Sequence, residues 1–591
     1  MDLYGFYTGT IFNAYEYLGV HRQGEGFIFR VFAPNAERVT LIGDFNGMNE
    51  YQMNRVNDGS FHELYIGNAE PGMRYYFRIY NKSGGYTDHC DIYGCGMELR
   101  PGFKSVIRDL NDYKFHDDEW LRHRTDCRSK PLNIYEMHMG SWRRKPDGSW
   151  YSYDEIADEL ISYVKETGYN YIEFLPLSEH PCDESWGYQN TGFFAPTSRY
   201  GTASQLMQLI DKCHQNNIGV IMDFVPVHFA VDSYGIGMYD GTVLYEYPHV
   251  DVGVSEWGSS NFMHSRGEVR SFLQSCAYYW LKEFHFDGIR MDAVSRIIYW
   301  QGDEARGVNG CGVDFVKFMN EGIKERMPDC ILIAEDSTNY PNVTKPVAEG
   351  GLGFDYKWDM GFMNDTLNYF RTAPEYRTEN YHKLTFSMMY YYNENYLLPF
   401  SHDENVHGKA TIMQKMSGEY EDKFPQARAM YLYMYMHPGK KLNFMGSEIG
   451  QLREWDEKRG QDWDILRYPK HDGFFVFMKE LNRIYLGCRA MYEGDYSADG
   501  FSWIDCDNTE NCIYALERRS KKERLAAVFN FSDTEKEYVL EGVKEAEVVL
   551  HTDWKRFGGE TAENTRVCTD NILLPRFSGV LFKESLINYS S

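Results

Sequence analysis

Four short segments of this sequence each contain an apolar run that ends in charged or polar side chains. Side chains of these types suit acid–base chemistry. They are residues 223–228, 286–294, 331–337 and 398–408. A short apolar run bounded by turn residues is consistent with a buried strand, and in a barrel of parallel strands the functional side chains sit where strands end. We therefore expect the acids of these segments to be functional.

Arg290 and Asp292 lie two residues apart in the second segment. Because side chains alternate along a strand, both point to the same side while Met291 points to the other. A neighbouring guanidinium favours the ionised carboxylate, which a nucleophilic aspartate requires. For this segment alone, a structural Arg–Asp pair at a strand end is the alternative.

Glu335 follows four apolar residues, 331–334. Partial desolvation disfavours its ionised form, so the sequence predicts a protonated carboxyl group. One ionised and one protonated carboxyl group are the pair that glycoside chemistry uses. A helix cap or a metal-bound acid is the alternative for Glu335 alone, and the joint occurrence of the two acids favours catalysis.

Two histidines accompany acids in the remaining segments. Asp223 begins the first segment and His228 ends it, while Asp403 directly follows His402. Taken alone, each histidine is more often a satisfied structural residue than a catalytic one. These residues become candidates because they occur together with Asp292 and Glu335.

The elements that must position these side chains alternate between helices and short strands. Ser152 and Glu155 have the spacing of a capping box, Gly168 ends the helix that follows, and residues 171–176 have the pattern of a strand. Three further helix–turn–strand units end in strands at residues 220–225, 289–291 and 330–334. This alternation predicts a parallel sheet covered on both faces, and the lack of a glycine-rich phosphate loop favours an α/β fold of the (β/α)8 TIM barrel type over a doubly wound sheet.

Period-two patterns typical of strands flank the predicted barrel. They occur at residues 27–31 and 76–80 before it, and at 512–516, 525–530 and 580–582 after it. We therefore predict an N-terminal β-sandwich over residues 1–112, the barrel over 113–487, and a C-terminal all-β domain over 488–591.

Composition excludes several classes of function. The net charge of -26 repels nucleic acid and anionic membranes. No apolar run approaches the roughly 20 residues of a membrane span, and the start lacks a signal peptide, so we expect a cytoplasmic protein. The 12 cysteines include no zinc signature. An aromatic content of 16% suits a neutral sugar partner, although filling the core is the alternative for most of these residues.

The four segments, in this order, resemble the signature regions of the α-amylase clan of glycoside hydrolases and transglycosylases. Further stretches are similar to bacterial 1,4-α-glucan (glycogen) branching enzymes, namely residues 32–48, 133–142, 186–202, 350–358, 402–409 and 446–455. The resemblance covers nearly the whole chain. It implies a glucan substrate, cleavage of α-1,4 bonds, formation of α-1,6 branches, and neither cofactor nor metal.

The same resemblance implies a role for each candidate residue. Asp292 is the nucleophile, Glu335 the general acid/base, and Asp403 the third acid, which stabilises the transition state. Binding of the sugar at the cleavage point is implied for Tyr188, which stacks on the ring, for Arg290, His228 and His402, which contact it, and for Asp223, which supports the site.

Two rival functions stay open at this point. A hydrolase of the same clan, either debranching or trehalose-releasing, differs only in letting water attack the intermediate, and the flanking segments favour transfer over it. A catalytically silent glucan-binding protein is disfavoured because all three acids are present. We expect a monomer, with neither nucleic acid nor a membrane as partner.

Overall fold

The computed structural model describes residues 1–124, 127–540, 545–564, 566–568 and 571–583. The N-terminal part contains α1 (Leu3–Thr8), β1 (Gly19–Gln23), β2 (Gly26–Phe32), β3 (Ala36–Gly43), β4 (Tyr51–Gln52), β5 (Asn54–Val56), β6 (Phe61–Ile66), β7 (Arg74–Asn81), β8 (Tyr86–His89) and β9 (Ser105–Val106). One sheet has the order β1, β2, β6, β5 and the other β4, β3, β7, β8, with β9 beside β7. Phe29 of β2 meets Tyr75 of β7 edge-on, with ring centroids 4.9 Å apart. The two sheets therefore form the predicted sandwich.

Helices and strands alternate through the middle of the chain. In order they are α2 (Asp118–His123), β10 (Asn133–Met137), α3 (Met139–Trp142), α4 (Tyr153–Thr167), β11 (Tyr171–Phe174), β12 (Ser178–Glu179), β13 (Gly192–Pro196), α5 (Ala203–Gln215), β14 (Gly219–Phe224), β15 (His228–Phe229), α6 (Val250–Gly253), β16 (Ser260–Asn261), α7 (Gly267–Glu283), β17 (Gly288–Met291), α8 (Ser295–Ile298), α9 (Gly310–Arg326), β18 (Ile331–Ala334), β19 (Tyr356–Trp358), α10 (Met360–Arg371), α11 (Lys383–Phe386), β20 (Tyr396–Phe400), α12 (Ile412–Lys415), α13 (Tyr420–Met436), β21 (Lys440–Phe444) and α14 (Pro469–Gly487). Eight parallel strands close a barrel in the order β10, β11, β14, β17, β18, β19, β20, β21. The predicted barrel is confirmed.

The last part of the chain is all β. Its strands are β22 (Phe501–Asp505), β23 (Ile513–Arg519), β24 (Arg524–Asn530), β25 (Lys536–Tyr538), β26 (Glu545–His551), β27 (Arg566–Cys568), β28 (Ile572–Leu574) and β29 (Ser578–Lys583). Six of them form a sheet in the order β22, β23, β24, β29, β26, β27. This confirms the predicted C-terminal β-domain. The domain boundaries after residues 112 and 487 stay predictions, and residues 584–591 of the last domain lie outside the described residues.

The chain divides into two compact units. Among the described residues, the first unit falls within residues 1–125, 138–161 and 173–355, and the second within residues 126–137, 162–172 and 356–591. In the first unit β17 lies between β14 and β18, and Arg290 is in register with Asp223 on one side and Ile333 on the other. In the second unit β21 lies between β10 and β20, and β20 also pairs with β19. Each unit therefore brings neighbouring strand ends together.

The segment before β1 includes a helix that the sequence pattern missed. Ser271 Oγ on α7 donates to the carbonyl of Phe6 at 2.9 Å, and Gln274 Nε2 donates to the carbonyls of Gly9 and Ile11 at 2.9 and 2.8 Å. Both donors are buried and lie on a helix about 260 residues downstream in the sequence. Because the docking groups are so distant, a local sequence pattern gives no sign of this attachment.

A buried charge network fixes the amino-terminal ends of β14 and β17. His214 on α5 lies between two carboxylates, with Nδ1 2.7 Å from Asp117 and Nε2 3.0 Å from Asp287. Asp287 also accepts the backbone N–H of Val220 at 2.7 Å and Nε1 of Trp120 at 2.8 Å. Burial disfavours the imidazolium, but the charges of Asp287 and Asp117 outweigh it and raise the pKa of His214 to about 9.

We predict that this network makes the free energy of unfolding decrease as the pH rises into the alkaline range. The folded pKa of His214 lies above the unfolded value of about 6.5, so its contribution is complete below pH 6.5 and is lost as the pH rises through about 9. His214→Asn should cost about 3 kcal/mol at pH 6, and the difference from wild type should shrink toward pH 10. Calorimetric unfolding of both proteins across this range tests it. A difference that does not change with pH contradicts the charged state assigned to His214.

Candidate active site

Arg290 is buried on β17, and its guanidinium joins three carboxylates of the first unit. Nη1 donates to both oxygens of Asp223 at 2.7 Å and to Oδ1 of Asp292 at 2.9 Å, while Nη2 donates to Oε2 of Glu335 at 2.8 Å. Burial opposes the charged form, but Asp223, Glu335 and Asp292 hold the pKa of Arg290 well above its usual value. One cation therefore balances several acids at this point.

Asp292 and Glu335 occupy neighbouring positions just beyond β17 and β18. Glu335 N–H donates to the carbonyl of Met291 at 3.1 Å, and its Oε2 accepts the N–H of Ala293 at 2.9 Å. Since one planar guanidinium reaches both acids, the two oxygens it binds lie no more than about 8 Å apart. That is below the limit of about 10 Å set by the chemistry, and a carboxyl separation of about 5 to 5.5 Å stays a prediction.

Tyr188 and Asp223 support the same guanidinium. The hydroxyl of Tyr188 donates to Oδ2 of Asp223 at 2.5 Å and accepts from Nη1 of Arg290 at 3.4 Å. Asp223 is only 1% exposed, and both of its oxygens bind Arg290. The geometry therefore suits Asp223 to orienting Arg290 and Tyr188 rather than to direct chemistry.

His228 begins β15 in the first unit and is buried. Burial, aided by the charge of Arg296, lowers its pKa to about 4, so the ring is neutral at neutral pH. Within the described part of the chain, its buried Nδ1 has no hydrogen-bond partner. A neutral imidazole suits hydrogen bonding to a sugar hydroxyl.

In the second unit, His402 and Asp403 follow the end of β20. The backbone N–H and Nδ1 of His402 bind the two oxygens of Glu136 at 2.8 and 2.6 Å, and Nε2 lies 3.5 Å from Oδ1 of Asp403. Because a carboxylate only accepts, Nδ1 must carry the proton. The side chain of Asp403 is 41% exposed, whereas that of His402 is 3% exposed.

Glu136 is a site residue that sequence reasoning missed. It lies on β10 and is completely buried. A charged residue inside the otherwise uncharged run 133–137 was the available signal, because a buried acid requires a specific partner. As for metals, no group of three or more His, Cys, Asp or Glu side chains within the described residues could hold an ion.

Three family models match this chain. Residues 17–94 match carbohydrate-binding module 48 (isoamylase N-terminal domain). Residues 152–236 and 256–541 match the alpha amylase catalytic domain, and residues 503–583 match the alpha amylase C-terminal all-beta domain. The matches follow the same order as the sandwich, the barrel and the last β-domain.

Curated relatives resemble the chain over nearly its full length. A protein named 1,4-alpha-glucan branching enzyme GlgB from Geobacillus stearothermophilus is 43% identical, over 95% of this chain and 90% of that one. Its namesake from Fusobacterium nucleatum is 44% identical, over 95% and 92%. The solved structure of a pullulanase from Bacillus acidopullulyticus covers 98% of this chain and 76% of that one, with a TM-score of 0.77 and 16% identity, which supports the fold alone.

No helix among the described residues is long and apolar enough to cross a membrane.

We predict that Arg290 is essential for stability as well as for the site. Arg290→Leu leaves three acids without their shared cation, which should cost about 3 to 5 kcal/mol. Arg290→Lys keeps one positive charge but lacks the two-pronged guanidinium, so its loss of stability should lie between those of wild type and Arg290→Leu. Unfolding temperatures measure both effects. Arg22→Leu, which removes the exposed ion pair with Asp109, is the control and should change little. An Arg290→Leu protein as stable as this control would contradict the prediction.

Proposed function

Since this chain belongs to the 1,4-alpha-glucan branching enzymes of the α-amylase family, we infer that it cleaves an α-1,4 bond and transfers the chain on the non-reducing side of that bond to a 6-hydroxyl. The product is an α-1,6 branch in a glucan such as glycogen. The reaction exchanges one glycosidic bond for another. In the retaining mechanism proposed here, a covalent intermediate persists until an acceptor sugar binds.

In the proposed first step, Glu335 and Asp292 act on opposite sides of one bond. Glu335 gives its proton to the glycosidic oxygen while a carboxylate oxygen of Asp292 attacks the anomeric carbon. The carbon–oxygen bond to the leaving chain breaks, and that chain departs with a new 4-hydroxyl. The charge of Arg290 favours the ionised form of Asp292 that this attack requires.

The second step reverses these roles. Glu335, now a carboxylate, takes the proton of an acceptor 6-hydroxyl, and the acceptor oxygen attacks the anomeric carbon. The ester bond to Asp292 breaks, and both acids return to their first state. Two inversions at one carbon give net retention, which distinguishes this mechanism from direct displacement.

The observation that supports this assignment most directly is the guanidinium shared by Asp292 and Glu335. It keeps the two carboxyl groups within reach of a single glycosidic bond, as the retaining mechanism requires. The remaining roles are proposed on the resemblance to the family. They are transition-state stabilisation by Asp403, stacking by Tyr188, and sugar contacts by His228, His402 and Arg290.

Branching and hydrolysis give different products from the same intermediate. On incubation with amylose, we expect iodine staining to fall with few new reducing ends, because each bond broken is replaced by another. A matching rise in reducing ends would instead indicate hydrolysis, the rival function.

A cytoplasmic location and a monomeric state stay proposals. Light scattering of the purified protein tests the monomeric state.

We predict that Asp292→Ala abolishes branching while the fold is kept. Loss of the nucleophile should lower the rate at least about a thousandfold, because no covalent intermediate forms. The rate is measured by the iodine assay and the fold by the unfolding temperature. Asp158→Ala, which removes an acid whose side chain is 85% exposed, is the control and should retain the wild-type rate. Near-native turnover by the Asp292→Ala protein would remove Asp292 from its proposed role.

A further inference from the structure

Trp257 is a large aromatic residue whose exposure the fold does not explain. Among the tryptophans of the described residues it alone is exposed, with 46% of its surface accessible. It lies in the loop between α6 and β16 of the first unit. An exposed indole loses the stabilisation that burial would give, so a function at the surface is the more economical explanation.

The backbone around Trp257 is a tight, internally bonded turn. Ser255 N–H donates to the carbonyl of Ser259 at 2.8 Å, and Gly258 N–H donates to the carbonyl of Ser255 at 3.1 Å. The N–H of Trp257 itself donates to Oγ of Ser255 at 3.2 Å. Gly258 has φ +75°, which favours glycine at this position of the turn. The turn fixes the position of the indole in advance of any ligand.

The indole ring is also held by a cation that lies over one of its faces. The guanidinium carbon of Arg296 lies 4.5 Å from the ring centroid, which is within cation–π range. Arg296 Nη1 in turn donates to the carbonyl of Gln301 at 2.9 Å, and Nη2 binds Glu256. The orientation of the ring is thus set by a cation that is itself anchored at two points.

Trp257 is linked to the proposed active site of the first unit through separate contacts. Its ring centroid lies 5.2 Å from that of His228 at an angle of 45°. Its carbonyl accepts Nε2 of Gln189 at 3.2 Å, and the adjacent Tyr188 donates to Asp223. The indole therefore lies directly beside residues proposed to bind sugar.

We propose that Trp257 is a stacking platform for a glucose ring of the glucan chain, beside the sugar that His228 contacts. This inference rests on the proposed function and adds a binding residue to it. A glucose ring presents a flat face of C–H groups, and a fixed indole presents a flat apolar face of similar size. The flanking charges of Glu256 and Arg296 leave a single aromatic face rather than a broad apolar patch, which suits a narrow polysaccharide chain.

Kinetics with amylose provide the first test. Trp257→Ala should raise KM about five- to tenfold, because the loss of one aromatic stacking contact amounts to about that factor in affinity. Trp257→Phe keeps a flat face and should stay within about twofold of wild type, whereas Trp257→Leu should behave like Trp257→Ala. Equal KM values for the Leu and Phe variants would overturn the proposal, since only a flat ring is expected to restore binding.

Direct binding separates this inference from the proposed function. In an Asp292→Asn background, which prevents turnover, calorimetry with maltoheptaose should give a Kd about five- to tenfold higher when Trp257→Ala is added. Tyr4→Ala, at an aromatic residue 80% exposed on α1, is the matched control and should leave Kd unchanged. An unchanged Kd with Trp257→Ala overturns the platform. If the wild type binds maltoheptaose through Trp257 but does not branch amylose, the proposed function fails while the platform stands.

Discussion

The proposed chemistry depends on one buried cation shared by several acids. Bringing the carboxylates of Asp223 and Asp292 close together would be unfavourable in the absence of Arg290, because like charges in a poorly solvated site repel each other strongly, and Arg290 also binds Glu335. Arg290 offsets that repulsion and at the same time fixes geometry, since its planar fork accepts only certain positions of each carboxylate. The barrel contributes by holding β14, β17 and β18 in register, so that the acids arrive at the guanidinium from neighbouring strands.

The two histidines proposed to contact the sugar are held in different ways. In the first unit, His228 is kept neutral mainly by burial, with a cation nearby. In the second unit, His402 is oriented by a buried acid, Glu136, which binds both its backbone and its ring. In each case a second residue sets the orientation or charge of the ring that is proposed to meet substrate, which is how side chains behind a site tune those in it.

Much of the site was predictable because it lies on regular elements with a strong local signal. The pairing of Arg290 with Asp292 follows from strand alternation, and the position of Glu335 follows from the apolar run before it. The attachment of α1 to α7 and the partnership of Glu136 with His402 could not be predicted, because each joins residues more than 250 positions apart. Trp257 was missed for another reason: a tryptophan in a loop has no periodicity, and only its exposure in the folded chain distinguishes it from a core residue.

The choice between transfer and hydrolysis must be made outside the catalytic acids. The same pair, Asp292 and Glu335, serves water and sugar equally well, since each acceptor needs only a base and an accessible anomeric carbon. Water has the advantage of being small and abundant. A sugar acceptor reacts instead of water when the protein binds it at a high local concentration beside the intermediate. Rigid, exposed groups that hold a glucan chain near the intermediate are the means available to a protein for this purpose. On this argument, the groups that bind the acceptor determine whether water or a sugar reacts, and the acids determine only that a reaction takes place.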